Sequence, residues 1–208
     1  MADRLIDRTL RAFSDDLSAD SPVPGGGSAA AYAGAMGAAL AAMVSRIASK
    51  KTDSPDQARF IEEMDGLRAD FLRLVDEDSA AYARVATALK LPRKTEEEKA
   101  ARQERLQTSL IAASAVPLEV AKTSRRLLDA CARGIDSASP MTASDIGVGA
   151  LMAEAALRGA ALNVMINLAS VRDPVQVKAL SENLDRALEG SEDERRRTIE
   201  IVESRIAR

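Results

Sequence analysis

Between residues 29 and 43 the chain carries only Ala, Gly and Met, apart from Tyr32 and Leu40. A helix built this way buries little side-chain area of its own, so another backbone must lie very close to hold it. Its approach is Ser21-Pro22-Val23-Pro24-Gly25-Gly26-Gly27-Ser28. Two prolines stiffen the entry, three glycines permit close approaches, and Ser28 is expected to cap the helix. Free N–H groups at such a helix start can meet the oxygens of a ligand. The alternative is a plain flexible joint. The run is no Walker loop, because no Lys-Ser or Lys-Thr follows the glycines at the required spacing. No strand precedes it, as a dinucleotide fingerprint would require.

Composition extends this constraint. Of 208 residues 46% are hydrophobic and 2% aromatic, so the core is aliphatic and largely alanine. Long helices, with further burial through self-association, are expected. A net charge of −3, with 29% charged residues of both signs, offers no basic field for nucleic acid. Asp3, Arg4, Asp7 and Arg8 interrupt the N-terminus, so no signal peptide is expected. The run at 29–44 is too rich in small residues to be expected in a membrane. Cys131, the single cysteine, is expected as a small core residue, and the location as cytoplasmic. The chain contains no histidine. Ser-His and Cys-His nucleophile pairs, the usual zinc sites and Glu-x-x-His di-iron bundles are therefore excluded, and no metal is expected. Acid–base work falls to Asp, Glu, Lys or Tyr.

The periodicity predicts an all-α fold: a bundle of long antiparallel helices forming a single domain over residues 1–208. Leu5, Leu10, Phe13 and Leu17 mark a first helix over 3–17. The second runs from Ser28 to about 49, and the third from Pro55 to about 90. The apolar stripe of the third is Phe71, Val75, Tyr82, Val85 and Leu89, and the member missing from its seven-residue gap is Asp78. A carboxylate thus stands where the pattern requires a buried side chain. It is either satisfied structurally by a helix end or a cation, or it is a pKa-tuned acid or base. Asp76 and Glu77 read as ordinary solvated charges. Thr95 to Glu98 forms a capping box that starts a fourth helix, with Pro117 expected to kink it. Thr142 or Ser144 caps a fifth, in which Gly149, Met152, Ala156 and Gly159 or Ala160 lead to Asn163 and Asn167 on one face. The two amides hydrogen-bond either a neighbouring backbone or a ligand. Asp173-Pro174 starts a last helix to the C-terminus, with residues 192–197 as its solvated face.

Four blocks coincide with one family. They are residues 21–28 with their helix; Asp76-Glu77-Asp78-Ser79-Ala80-Ala81-Tyr82; Leu91-Pro92-Arg93-Lys94-Thr95-Glu96-Glu97-Glu98-Lys99; and Ser144-Asp145-Ile146-Gly147 leading to Asn163-Val164-Met165-Ile166-Asn167. In order and spacing they resemble the cyclodeaminase/cyclohydrolase family acting on tetrahydrofolate, from about residue 5 to 175.

The resemblance implies a homodimer and a folate cleft lined by the glycine loop. It makes Asp78 the catalytic carboxylate. It makes Pro24, Gly25, Gly26, Gly27, Ser28, Tyr82, Asp145, Asn163 and Asn167 substrate-binding, with no cofactor. Arg46, Lys50, Lys51, Arg93 and Lys94 are candidates for the anionic folate tail; each alternatively is a solvated charge. The family's usual basic run after Met43-Val44 is replaced by Ser49-Lys50-Lys51-Thr52. Two activities follow. One is opening of methenyltetrahydrofolate by water, favoured because no formimino-transfer domain is evident. The other is cyclodeamination with release of ammonia. A non-catalytic helical interaction module is the reading from another class, and the misplaced Asp78 argues against it.

Overall fold

The computed structural model describes residues 4–50 and 54–207. Among the described residues seven α-helices follow one another: α1 Leu10–Ser18, α2 Gly26–Ser49, α3 Pro55–Leu89, α4 Glu96–Gly134, α5 Ala143–Leu168, α6 Pro174–Leu188 and α7 Ser191–Ile206. There is no strand among the described residues.

Four of these make an up-and-down bundle. Arg46 pairs with Asp65 and Ser28 bonds Val75, so α2 and α3 run antiparallel. Arg102 reaches the Leu89 carbonyl at 3.1 Å and Arg133 pairs with Glu63 at 2.9 Å, which sets α4 against α3. Asn167 meets Ala113, and Gly149 meets Cys131, so α5 returns along α4. The bundle closes between α5 and α2, where Gly26 faces Asn163, Ala30 faces Gly159 and Gly37 faces Gly149.

Small residues allow that closure. A Cβ on Gly37 would lie 2.9 Å from the Gly149 carbonyl oxygen, and one on Gly149 would lie 3.2 Å from that of Gly37. A Cβ on Gly34 would lie 2.4 Å from the Phe71 ring. By length and composition α2 and α5 are each apolar enough to cross a membrane. They are also the two helices whose alanines fill the centre of the core, beside Met64, Leu67, Phe71, Leu127 and Leu128.

Local signals account for most boundaries. Thr95 caps α4 with the full reciprocal box, and Asp173 accepts from the N–H groups of Val175 and Gln176 at the start of α6. Several expectations need correction. The first helix is interrupted: a short 3-10 turn, Leu5–Asp7, precedes α1, which Thr9 caps. Ser28 is not a cap. Gly25 precedes the helix, and the Ser28 hydroxyl points inward to α3. Thr142 precedes α5, but its hydroxyl accepts from Ser139 N–H and caps nothing in α5. The last helix is two helices, because Gly190 takes φ +66°, a left-handed angle that only glycine adopts readily. Residues 192–197 are not wholly solvated either. Arg195 pairs with Glu154 of α5 at 2.8 Å, docking α7 on the bundle.

Candidate functional site

At one end of the bundle lie the start of α2, the second half of α3, the middle of α4 and the end of α5. They enclose a cleft of about 300 Å³ lined by Gly25, Gly26, Gly27, Asp78, Tyr82, Asn163, Ile166 and Asn167, with Pro22, Val23, Ala81, Val85 and Ala113 filling the walls. The glycine loop, the misplaced carboxylate and the amide pair thus meet in one place.

Asp78 is placed by the first turn of α2. A Cβ on Gly27 would sit 2.1 Å from Asp78 Oδ1, so only a glycine lets the carboxylate seat against the helix start. The hydroxyl and the backbone N–H of Ser28 both bond the carboxylate. Burial nevertheless prevails over those bonds and holds the Asp78 carboxyl above the usual carboxylate range. The glycines therefore have different roles. Gly27 accommodates Asp78, whereas a Cβ on Gly26 would meet Asn163 at an ordinary 3.5 Å, leaving that backbone open to the cleft.

The amides are fixed by their donors. Asn163 Nδ2 donates to the Gly159 carbonyl at 2.8 Å. Asn167 Nδ2 donates to the Ala113 carbonyl at 3.0 Å. That carbonyl is available because Pro117, four residues on, has no N–H to give it. Two features that looked separate in the sequence are one device: the proline releases a carbonyl, and the asparagine takes it up. A carbonyl can only accept, so one N–H of each amide is used, and the second N–H and the amide oxygen remain to meet a ligand. With Asp78 and Tyr82, these amides line a cleft that holds no cationic side chain.

The remaining expected site residues are dispersed. Ser28 is buried behind Asp78 and does not line the cleft. Pro24, after a cis peptide bond, is buried and lines a neighbouring hollow with Arg4, Arg8 and Asp76. Arg46 lies twenty residues along α2 from Gly26, about 30 Å at 1.5 Å per residue, and is paired with Asp65. Lys50 follows it at the same far end, and Lys51 lies outside the described residues. Asp145, in the first turn of α5, is about 27 Å from Asn163 by the same rise. Length misled the sequence reading here: one helix carries its two ends to opposite poles of the bundle. Arg93 and Lys94 are exposed in the connection between α3 and α4, at the cleft end. Asp76 is not an ordinary solvated charge. It accepts from the Leu5 N–H at 2.7 Å and from Arg4 Nε at 3.1 Å, tying the N-terminal segment to α3. Among the described residues, no group of three or more Cys, Asp or Glu side chains could hold a metal ion.

The architecture is an all-helical bundle with a carboxylate held above its usual range and a pair of amides in one end cleft. The chain belongs to the formiminotransferase-cyclodeaminase family, whose pattern it matches over residues 9–186. It is 37% identical to methenyltetrahydrofolate cyclohydrolase of Methylorubrum extorquens, over 88% of each chain. It is 39% identical to rat formimidoyltransferase-cyclodeaminase over 82% of its own length, and spans 32% of that longer protein. The crystal structure of formiminotetrahydrofolate cyclodeaminase from Thermotoga maritima superposes with a TM-score of 0.83 at 28% identity, covering 95% of this chain and 96% of that one.

Proposed function

We propose that this protein is a methenyltetrahydrofolate cyclohydrolase. It opens 5,10-methenyltetrahydrofolate with water to give 10-formyltetrahydrofolate. The observation that carries the reading is Asp78, a carboxylate held above its usual range in a cleft with no cationic side chain in its lining. The methenyl carbon bridges two nitrogens as a cationic amidinium, and acceptor oxygens favour that charge. Asp78 takes a proton from the attacking water as oxygen bonds to the carbon. It returns the proton to N5 as the carbon–N5 bond breaks, leaving the formyl group on N10 and releasing one proton overall. A carboxyl held above its ordinary range is better matched to both transfers near neutrality. The cleft volume, at the low end for small-molecule sites, suits the ring system rather than the whole folate. We assign the anionic tail, outside the cleft, to the exposed Arg93 and Lys94.

Water is the only co-reactant in this scheme, and no cofactor takes part. A cytoplasmic homodimer completes the proposal. Its support is the outer face of α5, where Leu162, Met165 and Ile166 are 66%, 60% and 69% exposed in a row beside the cleft. A second copy of the chain covers that face. Sedimentation of the purified protein should give twice the mass of one 22.1 kDa chain.

The Thermotoga neighbour favours one second reading, cyclodeamination of formiminotetrahydrofolate. Loss of the methenyl absorbance and release of ammonia, followed in the same preparation at matched folate concentrations, decide between them. Cyclohydrolysis predicts the faster methenyl loss; faster ammonia release overturns it.

A further inference from the structure

Behind the carboxylate, Ser28 has more acceptors around it than protons to give. Its Oγ lies 2.9 Å from the Val75 carbonyl oxygen, 3.1 Å from Asp78 Oδ2 and 3.2 Å from Ser79 Oγ. Ser28 is completely buried, so water does not compete for its hydroxyl. The Val75 carbonyl and an ionised carboxylate can only accept, so the single Ser28 proton serves one of them at a time. With Asp78 ionised, the hydroxyl donates to Oδ2, and Ser79 donates to Ser28 Oγ. With Asp78 protonated, the Ser28 proton turns to Val75, and its oxygen accepts from the carboxylic acid. The heavy atoms stay where they are in both states. A group that must take a proton and give it back is thus hydrogen-bonded before and after each transfer.

We propose that Ser28 is the positioning residue of Asp78, its hydroxyl reversing direction with the protonation of the carboxylate so that Oδ2 stays in one place. This rests on the reading of Asp78 as the proton carrier. Few other charges complicate it. Within the cleft the one other titratable side chain is Tyr82 of α3. The start of α2 contributes Gly27 to the cleft and Ser28 behind Asp78, α4 contributes Ala113 and α5 contributes Asn163 and Asn167, none of which titrates. Asp76 and Arg4 are bonded to one another in the adjoining hollow, where Arg8 also lies, and Glu77 is paired with Arg73.

Titration of the Asp78 carboxyl by carbon NMR, on the whole protein without folate, tests this directly. Ser28→Ala should move its midpoint up by about one pH unit, the effect of losing one hydrogen bond to a charged group. Ser28→Cys, close in volume but a weak donor, should do the same and guards against a cavity that unfolds the chain. Ser79→Ala should give a smaller shift. The acid limb of the cyclohydrolase rate should follow the midpoint. An unmoved midpoint in both folded Ser28 variants overturns the proposal; a merely structural serine would lower the melting temperature and leave the titration alone. A midpoint that moves while the rate ignores it supports the role of Ser28 and overturns the catalytic role of Asp78.

Discussion

Asp78 Oδ1 occupies the space where a side chain on Gly27 would begin, 2.1 Å from the position of its Cβ. A methyl group there leaves the carboxylate no place against α2. Gly27→Ala should therefore cost about 1–3 kcal/mol of stability by overpacking and remove most activity. Gly26→Ala, one residue earlier and in ordinary contact with Asn163, should keep its melting temperature and raise KM for the folate. Equal melting curves for the two variants would show that Gly27 does not seat the carboxylate.

Asp78→Asn keeps the shape and removes the base. We expect a loss of a hundredfold or more in kcat with the fold intact. Turnover near that of the unmodified protein would take Asp78 out of the mechanism.

The pH dependence has a definite sign. Burial holds the folded-state pKa of Asp78 above its unfolded value. The stability this group contributes is present in full below the ordinary carboxylate pKa of about 3.9 and is lost as pH rises through the raised value. Asp78→Asn, neutral throughout, should melt with the unmodified protein below that range and above it at neutral pH. The acid limb of the rate should likewise lie above the ordinary carboxylate range. Calorimetry at several pH values checks the first statement, and a pH–rate profile checks the second.

Asn167 and Pro117 should prove coupled. Asn167→Asp sets a carboxylate against the Ala113 carbonyl, two acceptors facing one another. We expect it to lose about 1–3 kcal/mol and to raise KM. Pro117→Ala restores a backbone donor for that carbonyl and should remove part of the stability cost of Asn167→Asp. Simple additivity in the double variant would refute the link.

Arg46→Ala should leave KM unchanged, because the side chain is at the far pole. Its exposed pair with Asp65 should matter by no more than about 1 kcal/mol. A large rise in KM would place substrate at that end after all.

The contrast between Asp78 and Arg46 shows what the sequence makes legible. Asp78 interrupts a helical period, and a period is a local property, so its inward position can be read without a structure. Asn163 and Asn167 share a face for the same reason, and Thr95, Asp173 and the proline starts mark helix ends by local hydrogen bonding. Arg46 and Asp145 looked close to the site because they fall within matching blocks. Distance across a bundle depends on helix length and direction, which no motif encodes. Ser28 looked like a cap because capping is what a serine does locally, whereas its actual partners are on a helix nearly fifty residues away. The tie from Asp76 to Leu5 and Arg4 is non-local in the same way. Gly190 did carry a signal, a glycine before serine and three acidic residues, but the charge pattern on both sides hid the break.

The contact of Gly37 with Gly149 lies eleven residues down α2 from the cleft, about 16 Å, on the same two helices that wall it. One wall carries Gly26 and Gly27, the other carries Asn163 and Asn167, and both are the ends of the two helices that touch there backbone to backbone. We expect an added methyl at Gly37 to push the two helices apart at this contact, since its Cβ would lie 2.9 Å from the Gly149 carbonyl oxygen, and a changed KM in a folded Gly37→Ala variant would show that the displacement reaches the cleft. The spacing of the two walls is thus tied to a contact between residues that do not themselves line the cleft.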